Sequence, residues 1–164
     1  NFNFGNLTKY EPNDKYMTLI ATIEADLTTA IKNHYEIEIN TLRMLKANLH
    51  NWQIANKKDP QDQDIIALIQ KEIKSRRESI SIYRQAKRQE LAQKEEGEIG
   101  VLKKYLPEQM SRDDIVIKVK EAIAKTNAKS PQDIGKVMGI LMGELKGKAD
   151  GAQISQIVKE NLSK

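Results

Sequence analysis

The sequence predicts an all-α protein in which long helices are followed by a compact three-helix domain. From Thr18 onward, apolar residues recur at steps of three and four, the spacing that lines one face of a helix. Helix-breaking and capping residues interrupt this pattern at Pro60, Pro107 and Pro131. No segment alternates apolar and polar residues strongly enough to compete as a strand.

The chain of 164 residues is long enough to bury one modest core or two small ones. Pro107 predicts a boundary because proline disfavours the helical conformation in the residue before it. We therefore expect an N-terminal bundle or hairpin of long antiparallel helices over 18–106 and a compact domain over 107–164. Residues 1–17 have no periodic pattern and are interpreted as a native extension or a non-native remnant.

Four helices are expected in the first part. Pro60 ends the second helix, and Asp62 or Asp64 favours the positively polarised first turn of the third. Gly97 and Gly100 each cost a helix interior about 1 kcal/mol, so the fourth helix is expected to bend or fray there. The four apolar stripes are Leu19, Ile20, Ile23, Leu27 and Ile31; Ile37, Ile39, Leu42, Leu45, Leu49 and Trp52; Ile65, Ile66, Ile69, Ile73, Ile80 and Tyr83; and Leu91, Ile99, Leu102 and Leu106.

Each helix of the second part begins with a recognisable cap. Ser111 is a candidate N-cap with Asp114 as a capping-box partner. Ser130 is expected to cap the next helix, with Pro131 at its first position. Asp150 is expected to cap the last.

Composition excludes several classes of protein. The sequence has no cysteine, which excludes a disulfide framework, a thiolate metal site and a cysteine nucleophile. Its charged residues amount to 30%, and no apolar run approaches the roughly 18 residues of a membrane helix. The N-terminus lacks the pattern of a secretion signal, so a soluble, cytoplasmic protein is expected, with a removed presequence left open.

A basic segment indicates an anionic partner. The net charge is +4, and Lys74 to Arg88 alone carries six positive residues against Glu78. Lys74, Arg77, Arg84 and Arg88 share one helical face, and arginine suits bidentate contact with phosphate. The alternative is a solvated face whose charge is partly paired by glutamates.

Glycines and lysines mark a second candidate site near the C-terminus. Gly135, Gly139, Gly143 and Gly147 recur every four residues, which creates a strip where another backbone can approach; internal packing is the favoured interpretation and RNA contact the alternative. Lys146 and Lys148 flank Gly147. Asp150-Gly151 then begins a helix whose free N–H groups favour an anion, unless Asp150 itself occupies them.

Three stretches, Leu106 to Ser111, Gly135 to Met138 and Lys146 to Gly151, resemble the GatB/YqeY family. That family unites free-standing small proteins with the tail of a subunit of the transfer-RNA-dependent amidotransferase. The resemblance implies a helical fold and contact with transfer RNA. Lys136, Lys146 and Lys148 are the residues expected to contact phosphate, and Arg77, Arg84 and Arg88 extend the positive surface.

Independent catalysis is not expected. The chain has no phosphate-binding glycine loop, and neither His34 nor His50 has the spacing of a metal site, so no cofactor and no metal are predicted. We expect a non-catalytic tRNA-binding or translation-associated module. The alternatives are an amidotransferase-like accessory component, with carbon–nitrogen ligase activity only alongside partner subunits, and a protein–protein adaptor. The sequence does not indicate an oligomeric state.

Overall fold

The computed structural model describes residues 18–163, which form helices joined by turns and irregular segments, with no strand among them. The all-α prediction is confirmed. The interpretation of residues 1–17 concerns residues outside the described range. The helices are α1 (Leu19–Lys32), α2 (Glu36–Asn56), α3 (Asp62–Gln85), α4 (Gln89–Lys103), α5 (Arg112–Thr126), α6 (Ile134–Glu144) and α7 (Gly151–Leu162).

The chain divides into two compact units, the first ending at Pro107 and the second beginning at Glu108. Each unit has its own apolar core. None of the helices in residues 18–163 combines the length and the apolarity of a membrane-spanning segment.

Local signals explain where the helices of the first unit begin and end. The Thr18 hydroxyl accepts a hydrogen bond from the Ala21 N–H at the start of α1. Gln61 and Asp64 form a reciprocal capping box at the start of α3. Lys57 adopts a left-handed conformation, with φ of 53°, where α2 ends.

The fraying expected in the middle of the fourth helix does not occur, because α4 runs through both glycines without a break. A Cβ atom at Gly97 would lie 3.5 Å from Ile37 Cδ1, so α2 packs closely there. Packing of this kind offsets the cost of glycine in a helix. Ile37 and Ile31 nevertheless remain 41% and 43% exposed, so neither is the core residue that the apolar stripes suggested.

A charged network lies inside the first unit. Arg76 Nη1 is 3.0 Å from Glu72 Oε2 on α3, and Arg76 Nε is 3.0 Å from Glu98 Oε2 on α4. Asn48 on α2 donates to Glu72 Oε1 at 2.6 Å. Arg76, Glu72 and Glu98 are all buried. The network therefore links three helices through hydrogen-bonded charges.

A second buried polar contact joins α1 to the segment that follows α4. The Tyr105 hydroxyl donates to Asp26 Oδ2 at 2.8 Å, across 79 residues of sequence. Burial, and then the neighbouring Asp26 carboxylate, raise the pKa of Tyr105. Tyr105 therefore stays protonated and can act as the donor. Burial also lowers the pKa of the adjacent Lys104.

The second unit is built from α5, α6 and α7 around an apolar core without aromatic residues. Ser111 and Asp150 cap α5 and α7 as expected, accepting from the N–H groups of Asp114 and Ala152. The prediction for Ser130 is wrong in detail. Its hydroxyl contacts Asp133 Oδ2 at 3.3 Å and makes no capping bond to the backbone, because a 3-10 turn over Pro131–Asp133 precedes α6.

Candidate nucleic-acid interface

The turn between α6 and α7 depends on a glycine. Gly147 has φ of 80°, a left-handed conformation that glycine adopts without the strain a Cβ atom would cause. The Lys148 N–H donates to the Leu145 carbonyl at 3.0 Å and closes the turn. Gly147 is buried, whereas Lys146 and Lys148 on either side of it are exposed. We call Lys146, Gly147 and Lys148 the lysine turn.

The lysine turn is held by the segment that precedes α5. Gln109 Nε2 donates to the Gly147 carbonyl at 2.7 Å, and the Met110 N–H donates to the Lys148 carbonyl at 2.8 Å. Two of the stretches that resemble the family are thereby brought into contact. The sequence pattern does not predict this contact, although each stretch resembles the family by itself.

The three candidate lysines differ in their surroundings. Lys146 and Lys148 are exposed, and their ammonium groups make no ion pair within residues 18–163. Lys136 is also exposed, but its Nζ lies 3.0 Å from Asp133 Oδ1. The hydrogen bond from Lys136, followed by the Lys129 N–H, lowers the pKa of Asp133 to about 2. Asp133 therefore partly neutralises the charge of Lys136.

The beginning of α7 is occupied by its own cap. Asp150 Oδ1 accepts a hydrogen bond from the Ala152 N–H at 2.8 Å. This carboxylate lies where an external anion would approach the free N–H groups of the first turn. The structure therefore supports the capping interpretation of Asp150-Gly151, and the lysines remain the cationic groups of this turn.

The glycine strip on α6 faces solvent. Gly135, Gly139 and Gly143 are exposed, and a Cβ atom at any of them would meet no other atom within 4 Å. Internal packing, the favoured interpretation from sequence, is therefore wrong for these three glycines. They form a smooth outer surface on the helix that also carries Lys136.

The basic segment of the first unit is split by burial. Arg76 lies on the apolar face of α3, three residues after Ile73 and four before Ile80, so helical periodicity alone could have placed it inside. The other five basic residues between Lys74 and Arg88 are exposed. Burial of Arg76 therefore weakens the positive surface without removing it.

Two of the predicted arginines line one cleft. Arg77 and Arg84 share an open cleft of about 450 Å³ with Ile80, Ser81, Gln85 and Glu96. Arg84 forms an exposed ion pair with Glu96 of α4. Arg88 is exposed at the N-cap position of α4, outside this cleft. The first unit contains Arg77, Arg84 and Arg88, and the second unit contains the lysine turn.

The histidines have ordinary positions. His34 is exposed after the end of α1, with φ of 59°, and His50 is exposed on α2. Across the part of the chain that the structure describes, no group of three or more histidine, aspartate or glutamate side chains has an arrangement suited to a metal ion.

Curated relatives cover most of the chain. A protein of Pyrenophora tritici-repentis named altered inheritance of mitochondria protein 41, mitochondrial, is 32% identical over 145 residues, which are 87% of this chain and 80% of the relative. The Saccharomyces cerevisiae protein of the same name is 25% identical over 137 residues, 80% of this chain and 74% of the relative. An uncharacterized protein of Schizosaccharomyces pombe is 31% identical over 93 residues, 57% of this chain and 76% of the relative.

These names correct the expected location. The prediction of a cytoplasmic protein is wrong, because two of these relatives are named as mitochondrial proteins. The prediction relied on the absence of cysteine and of a secretion signal. A cysteine-free helical core can fold in any compartment, and the address is carried by a targeting segment that receptors read.

The family assignment rests on a matching sequence model and on the 32% identical relative. The sequence model described as "Yqey-like protein" matches residues 20–162, almost the whole described chain. The chain belongs to the YqeY-like family.

Proposed function

We propose that this protein is a non-catalytic, RNA-binding module of mitochondria that holds transfer RNA through contacts to phosphate. The observation that carries the proposal is the lysine turn, where Lys146 and Lys148 are exposed and the carbonyls of Gly147 and Lys148 accept hydrogen bonds from Gln109 and Met110. The mitochondrial location follows the names of the relatives.

Preorganisation is the physical argument for the lysine turn. Gly147 and the hydrogen bonds from Gln109 and Met110 fix the backbone before any ligand arrives. Less conformational entropy is then lost on binding, so more of the attraction to phosphate appears as affinity. Lys136 on α6 adds a third cation beside the exposed glycine strip.

The glycine strip supports the same proposal through shape. Gly135, Gly139 and Gly143 leave part of α6 without side chains and without neighbours. An RNA backbone can approach such a helix more closely than one covered with long side chains. In the first unit, Arg77, Arg84 and Arg88 supply planar donors suited to phosphate oxygens.

The test is replacement of Lys136, Lys146 and Lys148 by alanine, with transfer-RNA binding measured over a series of salt concentrations. Each phosphate contact contributes about 0.7 to 0.9 to the slope of log affinity against log salt, so losing three contacts should reduce the slope by about two to three. Affinity in dilute buffer should fall as well.

The matched control replaces Lys118, Lys120 and Lys159 of α5 and α7 by alanine. It makes the same change in net charge on the same unit. Equal losses in the two triple variants would indicate general attraction and contradict a site at the lysine turn. Unchanged affinity of the first variant in dilute buffer would contradict the proposal directly.

A protein–protein adaptor is the second candidate, and the exposed glycine strip is the observation that favours it. Met142, beside the strip on α6, is 47% exposed. Smooth apolar helix surfaces receive partner helices, and such binding tolerates salt better than phosphate binding does. Two results together would favour this candidate. A protein partner would bind at high salt and be lost on Gly139→Leu, and the protein would not bind RNA in dilute buffer.

A further inference from the structure

Hydrogen-bond donors line the open cleft beside α3. Arg77, Ser81 and Arg84 lie on successive turns of one face of α3, and Gln85 is adjacent. Arg77 and Arg84 are seven residues apart, roughly 10 Å along the helix axis. Two guanidinium groups, a hydroxyl and an amide thus border one open cleft, with Ile80 among its apolar contacts.

Glu96 provides a carboxylate at this cleft. It reaches from α4 to the guanidinium of Arg84, and the two side chains are 44% and 59% exposed. A carboxylate and a phosphate present the same kind of paired oxygen acceptors to arginine. Exposed ion pairs contribute only about 0 to 1 kcal/mol, so an incoming phosphate can displace this one at little cost.

The other arginine ion pair on α3 behaves differently. Arg76 is held by Glu72 and Glu98 in the interior, with side-chain exposures of 8%, 9% and 11%. No external ligand reaches it without opening the helix packing. The same helix therefore carries a permanent buried arginine and, two turns later, an arginine whose carboxylate partner is exchangeable.

We propose that the cleft lined by Arg77, Ser81 and Arg84 binds a phosphate group of the RNA backbone, and that Glu96 competes with that phosphate for Arg84. The proposal rests on the RNA-binding function proposed above and adds a second, internally regulated contact point to it. Glu96 lowers the affinity for RNA by holding Arg84 in the absence of ligand.

A double-mutant cycle tests the competition, with transfer RNA as the probe in dilute buffer. Glu96→Gln should raise affinity about two- to fivefold, the equivalent of one exposed ion pair. Arg84→Gln should lower affinity about tenfold because it removes a charged hydrogen-bond donor. In the Arg84→Gln background, Glu96→Gln should bring no gain, since the competition no longer exists.

Glu78→Gln is the matched control, since it removes the same charge from an exposed position on α3. A gain from Glu96→Gln that equals the gain from Glu78→Gln, or that persists in the Arg84→Gln background, would reflect general electrostatics and overturn the proposal. Inorganic phosphate, titrated in place of RNA at constant ionic strength, distinguishes the source. Phosphate that bound through Arg84, with an RNA affinity that neither substitution changed, would mean that the cleft binds free phosphate and not RNA. That result would overturn the proposal.

The two proposals fail separately. Weaker RNA binding by the lysine variant together with no effect of Arg84→Gln would overturn the phosphate cleft and leave the lysine turn intact. Absence of RNA binding by the wild-type protein in dilute buffer would overturn both proposals.

Discussion

The two units bury different kinds of side chain. Among the described residues, every buried polar or charged residue, including Asp26, Glu72, Arg76 and Glu98, lies in the first unit. The second unit fills its core with aliphatic side chains, alanine and methionine. The first unit thus contains buried hydrogen bonds and ion pairs that require a specific geometry. The second unit relies on apolar packing, helix caps and one glycine turn.

The two units should be vulnerable to different substitutions. A buried ion pair adds little net stability compared with apolar packing, but removing one partner leaves an uncompensated charge in the interior. An aliphatic core responds mainly to lost volume. The first unit should therefore be sensitive to loss of single polar groups, and the second to loss of apolar volume and to changes at the glycine turn.

The largest expected effect is that of Arg76→Ala. It leaves Glu72 and Glu98 buried without their cation and should destabilise the first unit by about 3 to 5 kcal/mol. Urea unfolding followed by the fluorescence of Trp52, the single tryptophan of the chain, reports on this unit. Lys74→Ala, an exposed basic residue on the same helix, is the control. A loss below 1 kcal/mol would show that the network does not hold the helices.

The next effect concerns the contact between Tyr105 and Asp26. Tyr105→Phe keeps the ring but leaves the buried Asp26 carboxylate without this donor, which should cost about 1 to 3 kcal/mol. Tyr83→Phe is the matched control, because Tyr83 is only partly buried against the same core. The same unfolding measurement applies, and equal losses in the two variants would contradict a specific role for Tyr105.

In the second unit, two glycine substitutions should have opposite signs. Gly147→Ala forces a Cβ atom into a left-handed conformation and should cost about 1 kcal/mol. Gly139→Ala meets nothing within 4 Å and should stabilise α6 by about 0.5 to 1 kcal/mol. Hydrogen exchange of the α6 and α7 amides is suitable because this unit has no aromatic residue. Destabilisation by both would mean that the strip packs internally.

The smallest effect is a dependence on pH from Glu95. Burial, and then the Glu98 carboxylate, raise the pKa of Glu95 above its usual 4.5, against the opposing effects of Arg76 and Lys94. A raised carboxyl pKa favours the folded state below the unfolded value, and this contribution is lost as the pH rises through the folded pKa. Glu95→Gln should therefore stabilise the first unit near neutral pH, by no more than about 0.5 kcal/mol.

A pH series completes that test. The advantage of Glu95→Gln should shrink as the pH falls below 4.5, where the wild-type carboxyl is protonated in both states. Glu90→Gln, an exposed position on α4, serves as the control. An advantage that stayed constant with pH would mean that ionisation of Glu95 is not its cause.

The sequence predicted helices and caps better than it predicted contacts. Ser111 and Asp150 cap α5 and α7 because their side chains need only the next few N–H groups of the same segment. The fraying expected at Gly97 did not occur, because its cost is offset by Ile37, a residue 60 positions away whose approach no local pattern reveals. The roles of Lys136, Lys146, Lys148, Arg77, Arg84 and Arg88 in RNA binding remain predictions.

Periodicity, caps and motifs act over a few residues, so the sequence predicted the helical class, the position of most helices and membership in the family. The outward-facing glycine strip and the hydrogen bond from Gln109 to the lysine turn became evident only from the tertiary structure. Both features depend on which segments, distant in sequence, pack against each other, and no local pattern reveals that packing.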